Sequence, residues 1–554
     1  MKNGLNTKDI LSKYWPMFAC IHFVLCCFLS AGFFKEDPLY GTMGSVDMAP
    51  EITDWTLKII SLILTKTLAF FLVLGFWYLI CCVVQKKFRR KILVAFVLTS
   101  CLMNLYILYA YPGLYYIETD NLIVFSYAIR HLPYYWHGAL TSAVYGAAYT
   151  VLPHVIAVPL LQCNLFLGVV FWFYEQMNEI CNRRWTKWLF LLLVLPESYY
   201  VMLHPYRNCM YTVLSIWGIA YVLVAFHKKN IKMQWYIPIL FAIIAVWRTE
   251  GILIGVGMFI VLEVLSYSNW RRCIAMAALF AICVMSLNKV QNIGSEKYYG
   301  KDYLFVSMVG PLSVILNQPD ANLYYDGVGE DLQAVNDVVP IEWIQFAGAS
   351  GYRGYNHSMG RDINQSCATP EEQSAFVLAY IRIVGHNLDT FLACQLDATL
   401  SANGTEYPFE LASYQGDPIA IEGDIFERVK SMWQIGVLEF EVSSNRSVAY
   451  SNPTEDELRV LYEDIWDMTK LSVALRFVIV AYMVYMVIAF FVSFCKMKKI
   501  NDVLMTFVPL LLLGQLAIII LFMPEGRPAY FYPVYFQSLL VMMYHLMQKS
   551  NKSE

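Results

Sequence analysis

The chain has 554 residues, 58% of them hydrophobic and only 15% charged, with a mean hydropathy of +0.49. Its formal net charge is −3, so neither a water-soluble domain nor a basic nucleic-acid binder fits this composition. The apolar residues fall in runs of about 20, the length that crosses roughly 30 Å of hydrocarbon, and this describes an all-α polytopic membrane protein.

Reading from the N-terminus, the runs are approximately 15–33, 57–85, 92–111, 152–180, 186–203, 209–227, 234–248, 251–268, 273–290, 471–495, 503–523 and 529–547, about twelve crossings. The first lacks a small-x-small cleavage site before Phe33-Phe34-Lys35-Glu36, so it reads as an anchor helix and not as a removed signal peptide. Basic residues cluster at alternate ends of the runs: Lys2, Lys8 and Lys13; Lys86 to Lys91; Arg183, Arg184 and Lys187; Lys228, Lys229 and Lys232; Arg271-Arg272; Lys496, Lys498 and Lys499; Lys549. The positive-inside rule places all of these, and both termini, in the cytoplasm.

Between Asn121 and Val151 the pattern changes. Ile123, Val124, Tyr127, Ala128 and Leu132 approximate one apolar helix face, and 137–151 is rich in small residues and weakly hydrophobic. A full crossing there would turn the later basic clusters outward, so the charge pattern favours a segment lying in the membrane interface.

Gln291 to Lys470 is the one candidate extracytoplasmic domain, of mixed or uncertain class. It holds 27 Asp and Glu against 10 Lys and Arg, a balance of −17, and the rest of the chain carries +14. Turn signals such as Asn317-Gln318-Pro319-Asp320 and Tyr325-Asp326-Gly327 punctuate it. The chain thus divides into an N-terminal helix pair (1–90), a membrane core with an acidic outer loop (91–290), the acidic domain (291–470), and three C-terminal helices with a tail (471–554). Most of the fourteen cysteines lie in apolar runs, where Cys acts as a small hydrophobe. Cys367 and Cys394 are the one pair in the large loop and are either bridged or free, with no spacing framework of the secreted kind around them. Asn356, Asn364, Asn403 and Asn445 begin glycosylation sequons there.

With this topology the polar loops sort to one face. Glu118-Thr119-Asp120 follows the third run after Tyr111-Pro112-Gly113. His204-Pro205-Tyr206-Arg207-Asn208 joins the fifth and sixth, Trp247-Arg248-Thr249-Glu250-Gly251 the seventh and eighth, and Pro524-Glu525-Gly526-Arg527-Pro528 the last two. All fall outside, as expected of an enzyme with an exoplasmic active site. Carboxylates at the rim of a membrane helix invite a functional reading: Asp120 is the candidate general base, and Glu118 would orient an acceptor or share a divalent cation with it. Arg248 and Arg527, with Arg207 assisting, are candidates to clamp a phosphate, because guanidinium presents paired planar donors. The plainer alternative pairs Arg248 with Glu250 and Arg527 with Glu525 as local contacts at helix ends. His137, Glu250, Tyr530 and Tyr532 are candidate substrate-binding residues. His204 would assist Arg207 at the phosphate, His154 ranks below the others, and the aromatic run 530–536 reads first as an interface belt.

Glu118-Thr119-Asp120 in the first long outer loop, Arg248-Thr249-Glu250-Gly251, and Glu525-Gly526-Arg527-Pro528-Ala529-Tyr530-Phe531-Tyr532-Pro533 before the final run together resemble the GT-C membrane glycosyltransferases. The last stretch is similar to the late Arg-Tyr-x-x-Pro element of protein mannosyltransferases and aminoarabinose transferases. Thr119 separates carboxylates that the family often keeps adjacent, and 1–90 looks like an addition to the common core. The resemblance implies a GT-C fold, a polyprenyl-phosphate sugar donor, a glycan, lipid or protein acceptor, transfer on the exoplasmic face and a plasma (inner) membrane location. The alternatives are a transporter or flippase of lipid-linked saccharides, for which Glu263, Glu175 and Glu197 are the few carboxylates within or near spans, and a non-catalytic envelope assembly protein.

Overall fold

The computed structural model describes residues 7–33, 55–109, 124, 127–133, 138–154, 156–180, 186–227, 234–266, 269–292, 302–319, 321–342, 344–345, 368–402, 455–496, 499–523 and 530–553. Among these residues the regular structure is helical, with no strand. In chain order the helices are α1 (Thr7–Phe33), α2 (Trp55–Val84), α3 (Arg90–Tyr109), α4 (Ala139–Val151), α5 (Ala157–Ile180), a 3-10 segment (Lys187–Leu193), α6 (Pro196–Leu203), α7 (Arg207–Ala225), α8 (Tyr236–Trp247), α9 (Gly251–Leu265) and α10 (Trp270–Asn292). Then come α11 (Asp302–Ile315), α12 (Val328–Val338), α13 (Pro370–His386), α14 (Leu388–Ala402), α15 (Glu455–Lys496), α16 (Ile500–Phe522) and α17 (Tyr532–Ser553).

Eight of these helices are long and apolar enough to cross a membrane: α1, α2, α3, α5, α7, α10, α16 and the Ala474–Lys496 part of α15. The chain is therefore of the multi-pass membrane type. Four of the twelve expected crossings differ. Run 186–203 is not one helix: a 3-10 stretch ends at Leu193 and Pro196 opens a new eight-residue helix, since proline supplies no amide to continue the turn before it. Runs 234–248 and 251–268 become α8 and α9, only 12 and 15 residues long. Run 529–547 becomes α17, whose apolar character is interrupted by Gln537, His545 and Gln548.

The centre of the bundle is α7, packed by α5, α6, α8, α9 and α17. Its closeness to α8 depends on Gly218, where an added Cβ would fall 2.8 Å from Ile244 Cδ1. One apolar core runs through α5 to α9, α16 and α17, including Phe166, Phe173, Tyr211, Phe241, Phe531, Phe536 and Tyr544. By contrast α1, α2, α3, α10 and α15 turn large apolar side chains outward, among them Phe28, Ile63, Leu102, Met285 and Phe491. Lipid tails cover such a surface at no hydrophobic cost.

α4, 13 residues long, is not among the crossing helices and is packed inside the bundle. Of its residues 139 to 150 only Val144 is not buried, because α1, α2, α5 and α10 enclose it. Its small residues serve that packing: a Cβ on Gly146 would stand 2.8 Å from both Ala128 O and Thr65 Cγ2.

Helices α11 to α14 form a second, smaller core of Met308, Val309, Leu312, Ile315, Val335, Val338, Phe376, Ala379, Ile383 and Phe391. α13 begins at a capping box: Thr369 Oγ1 accepts from Glu372 N at 3.2 Å, while Thr369 N donates to Glu372 Oε2 at 2.7 Å, with Pro370 in the first turn. Asp331 ties α12 to α13, accepting from Tyr325 Oη and Arg382 Nη1, each at 3.0 Å. Burial first, then the Asp331 contact, pushes the Tyr325 phenol up to about 12. The described part of the acidic domain is thus helical. Cys394 is buried on α14; Cys367 and the four sequon asparagines lie outside the described residues.

Candidate functional site

The turn between α8 and α9 is built to be tight. Gly251 N donates to Arg248 O at 2.9 Å. A Cβ on Gly251 would collide with Ile244 O, and one on Gly255 would lie 2.6 Å from Ala245 N and Phe241 O. Only glycine at both places lets α9 fold back against α8. The consequence is burial of the charged residues at the turn: Arg248 is 8% exposed and Glu250 4%.

Arg248 Nε pairs with Glu250 Oε1, which is the local contact that the sequence offers as the plainer alternative. The guanidinium also lies 5.4 Å from the ring centroid of Tyr530, at the approach to α17. Trp247 Nε1 donates to the carbonyl of Arg207 at 3.0 Å, fastening the turn to the first residue of α7. One turn further along α7, Tyr211 accepts from Gln515 Nε2 of α16 at 3.2 Å, and both Arg248 and Glu250 act on it electrostatically. Cys209 is within electrostatic reach of Arg248 and of Tyr532.

These residues share one end of the bundle, here called the upper end, where α7, α9 and α17 begin and α8 and α16 finish. Arg248 contacts both Glu250 and Tyr530 there, and Arg207 is tied to the same turn through Trp247. Glu118, Thr119, Asp120, His137, Glu525 and Arg527 lie outside the described residues. His204 is buried and stacked on Tyr206, ring centroids 5.3 Å apart, while Gln162 Nε2 holds its carbonyl at 2.9 Å. His154 sits in the α4–α5 turn. No protein-family model, curated protein or solved structure matches this chain.

Two features of the polar interior are additional to the sequence reading. Arg476 of α15 donates through Nε to Glu197 Oε1 of α6 at 3.0 Å, with both side chains largely buried. Its guanidinium lies 5.0 Å from the Tyr535 ring centroid, and Tyr532 is an electrostatic neighbour of both members. The second feature is Lys66, inside apolar α2, whose Nζ donates to Thr150 Oγ1 of α4 at 3.1 Å. A charge within an apolar run is the sequence signal for both. Among the described residues no three His, Cys, Asp or Glu side chains group as metal ligands.

Proposed function

We propose that the chain is an integral membrane glycosyltransferase, moving a sugar from a polyprenyl-phosphate donor to a glycan, lipid or protein acceptor on the exoplasmic face. The observation that carries this reading is Arg248, in contact with Glu250 and Tyr530 and next to the Trp247 tie to Arg207, at the end of the bundle that the charge pattern assigns to that face.

In this reading Arg248 and Arg527 hold the donor phosphate, with Arg207 assisting, and Tyr530 and Tyr532 line the groove for the sugar and lipid. Asp120 takes the acceptor hydroxyl proton as the oxygen bonds to the anomeric carbon, and the bond from that carbon to the phosphate oxygen breaks. The arginines balance the charge gathering on the departing phosphate. Glu118 orients the acceptor, or shares a divalent cation with Asp120.

The deciding experiment is Asp120→Asn with a polyprenyl-phosphate sugar and chain in proteoliposomes. Transfer should fall about 10²- to 10⁴-fold while donor binding stays. Near-normal turnover, under conditions where chemistry is rate-limiting, would sink the base assignment. Glu118→Gln should be milder, unless a chelator also stops the unmodified protein.

A second reading, a transporter of lipid-linked saccharides, draws support from Lys66 and from the Arg476–Glu197 pair, charges set within helices as a translocation path requires. It expects movement of intact donor across sealed vesicles with no new glycosidic bond.

A further inference from the structure

α14 has two unlike faces. On one, Phe391 enters the core of the α11–α14 unit, Ala398 enters the core of the membrane bundle, and Gln395 Nε2 donates to Leu521 O, in the last turn of α16, at 3.1 Å. The other face sets Leu388, Leu392 and Leu396 one turn apart, and they are 52%, 51% and 56% exposed. α13 extends the row with exposed Leu378 and Ile381.

This row adjoins the end of a helix that is long and apolar enough to cross a membrane. Leu396 follows Gln395, the residue bonded to α16, and the end of α16 exposes Leu521 and Phe522. Charge is sparse along the row: from Phe376 to Ala398 only Arg382, Asp389 and Asp397 are charged, and Arg382 is held by Asp331. That contrasts with the −17 of the segment as a whole. Tyr324 stands beside the row, because Asn322 N donates to Asn387 Oδ1 at 2.7 Å and the Tyr325 ring stacks on His386. Tyr324 is 95% exposed, and an amphipathic ring at this place suits the level of lipid headgroups.

We propose that the α13–α14 edge is a lipid-docking surface, with Leu378, Ile381, Leu388, Leu392 and Leu396 seated in the acyl boundary of the leaflet that meets the upper end of the bundle. The acidic unit then lies down on the membrane instead of standing away from it. The occupant is lipid because the row adjoins Leu521 and Phe522, exposed apolar residues at the end of a helix long and apolar enough to cross a membrane, and because a short helix bonded to the end of a crossing helix is held at interface depth. The proposal is independent of sugar transfer.

The test uses the full chain in phosphatidylcholine nanodiscs, on a background without reactive native cysteines. Leu378→Cys, Leu392→Cys, Leu396→Cys and, as control, Asp337→Cys are each labelled with bimane. Doxyl-labelled lipid should quench the three row positions at least about twofold more than position 337, and aqueous iodide should do the reverse. Thermal melting of each variant verifies that the fold is kept, since these side chains are exposed. Equal iodide access at 392, 396 and 337 without lipid quenching would overturn the proposal. So would concentration-dependent cross-linking of position 392 to its counterpart, which would make the occupant a second copy, or shielding that requires an added soluble protein.

Discussion

Arg476 and Glu197 form a buried ion pair across 279 residues of sequence, Nε to Oε1 at 3.0 Å. It joins α15, which follows the acidic domain, to α6 in the first half of the bundle. Glu197 lies in the first turn of α6, where the helix dipole favours a carboxylate. Charges taken out of water are tolerated when paired and hydrogen-bonded, and the penalty for removing one partner exceeds the net worth of the pair.

Arg476→Met alone should therefore destabilise the protein by about 3–5 kcal/mol, because Glu197 is left charged and buried. Combining it with Glu197→Gln should recover most of the loss. Thermal unfolding of the three variants in one detergent checks this; a single substitution no worse than the double would show that the pair contributes nothing special.

Gly255 and Gly257 should respond differently to alanine. At Gly255 the added methyl meets backbone of α8, Ala245 N and Phe241 O, whereas at Gly257 it meets only the movable end of the Leu511 side chain. Alanine gains up to about 1 kcal/mol of helix propensity in both. Overpacking at Gly255 should outweigh that, at about 1–3 kcal/mol, and displace the Arg248 turn. Gly257→Ala should come out close to neutral. Equal effects at the two positions would argue against the close backbone approach.

His131 has a left-handed backbone, φ 56°, and burial, reinforced by the Lys66 charge, holds its imidazole down to about 4. Its folded value lies below the ordinary 6.5, so its contribution to stability is present above pH 6.5 and is lost as pH falls toward 4. The size is at most about 3 kcal/mol. His131→Asn keeps a residue type that accepts positive φ but cannot titrate. The melting temperature of this variant should be flatter between pH 6.5 and 4 than that of the unmodified protein; parallel curves would remove His131 from the acid limb.

Arg248→Ala and Arg527→Ala should each weaken binding of a polyprenyl phosphate roughly ten- to hundred-fold, the cost of one charge-assisted contact. Equilibrium binding to the purified variants is the measurement. Donor affinity unchanged in both would take the two arginines out of the site and leave Arg248–Glu250 as a purely structural pair.

The long helices are legible in the sequence because α2, α3, α10, α16 and the Ala474–Lys496 part of α15 are long and predominantly apolar. The break in run 186–203 was marked by Pro196, a signal that a sliding hydrophobic window averages away. The burial of α4 is hidden for a related reason: alanine and glycine score as weakly hydrophobic, yet their value here is close packing against α2. Arg248 with Glu250 was readable as a pair because they are neighbours at one turn. Arg476 with Glu197 was not, since no local pattern encodes a contact made only when the two halves of the bundle close. Lys66 passed unnoticed inside a run that its neighbours made apolar.

Gly138 and Gln291 carry one more consequence. Gly138, φ 84°, stands before α4 with the Gln291 side chain where a Cβ would be, and Gln291 Oε1 accepts from Leu140 N at 2.9 Å. Gln291 is in the last turn of α10, shortly before α11 opens the acidic unit at Asp302. A single amide side chain thus fastens the last turn of α10 to the start of α4, and any side chain at position 138 would have to displace it.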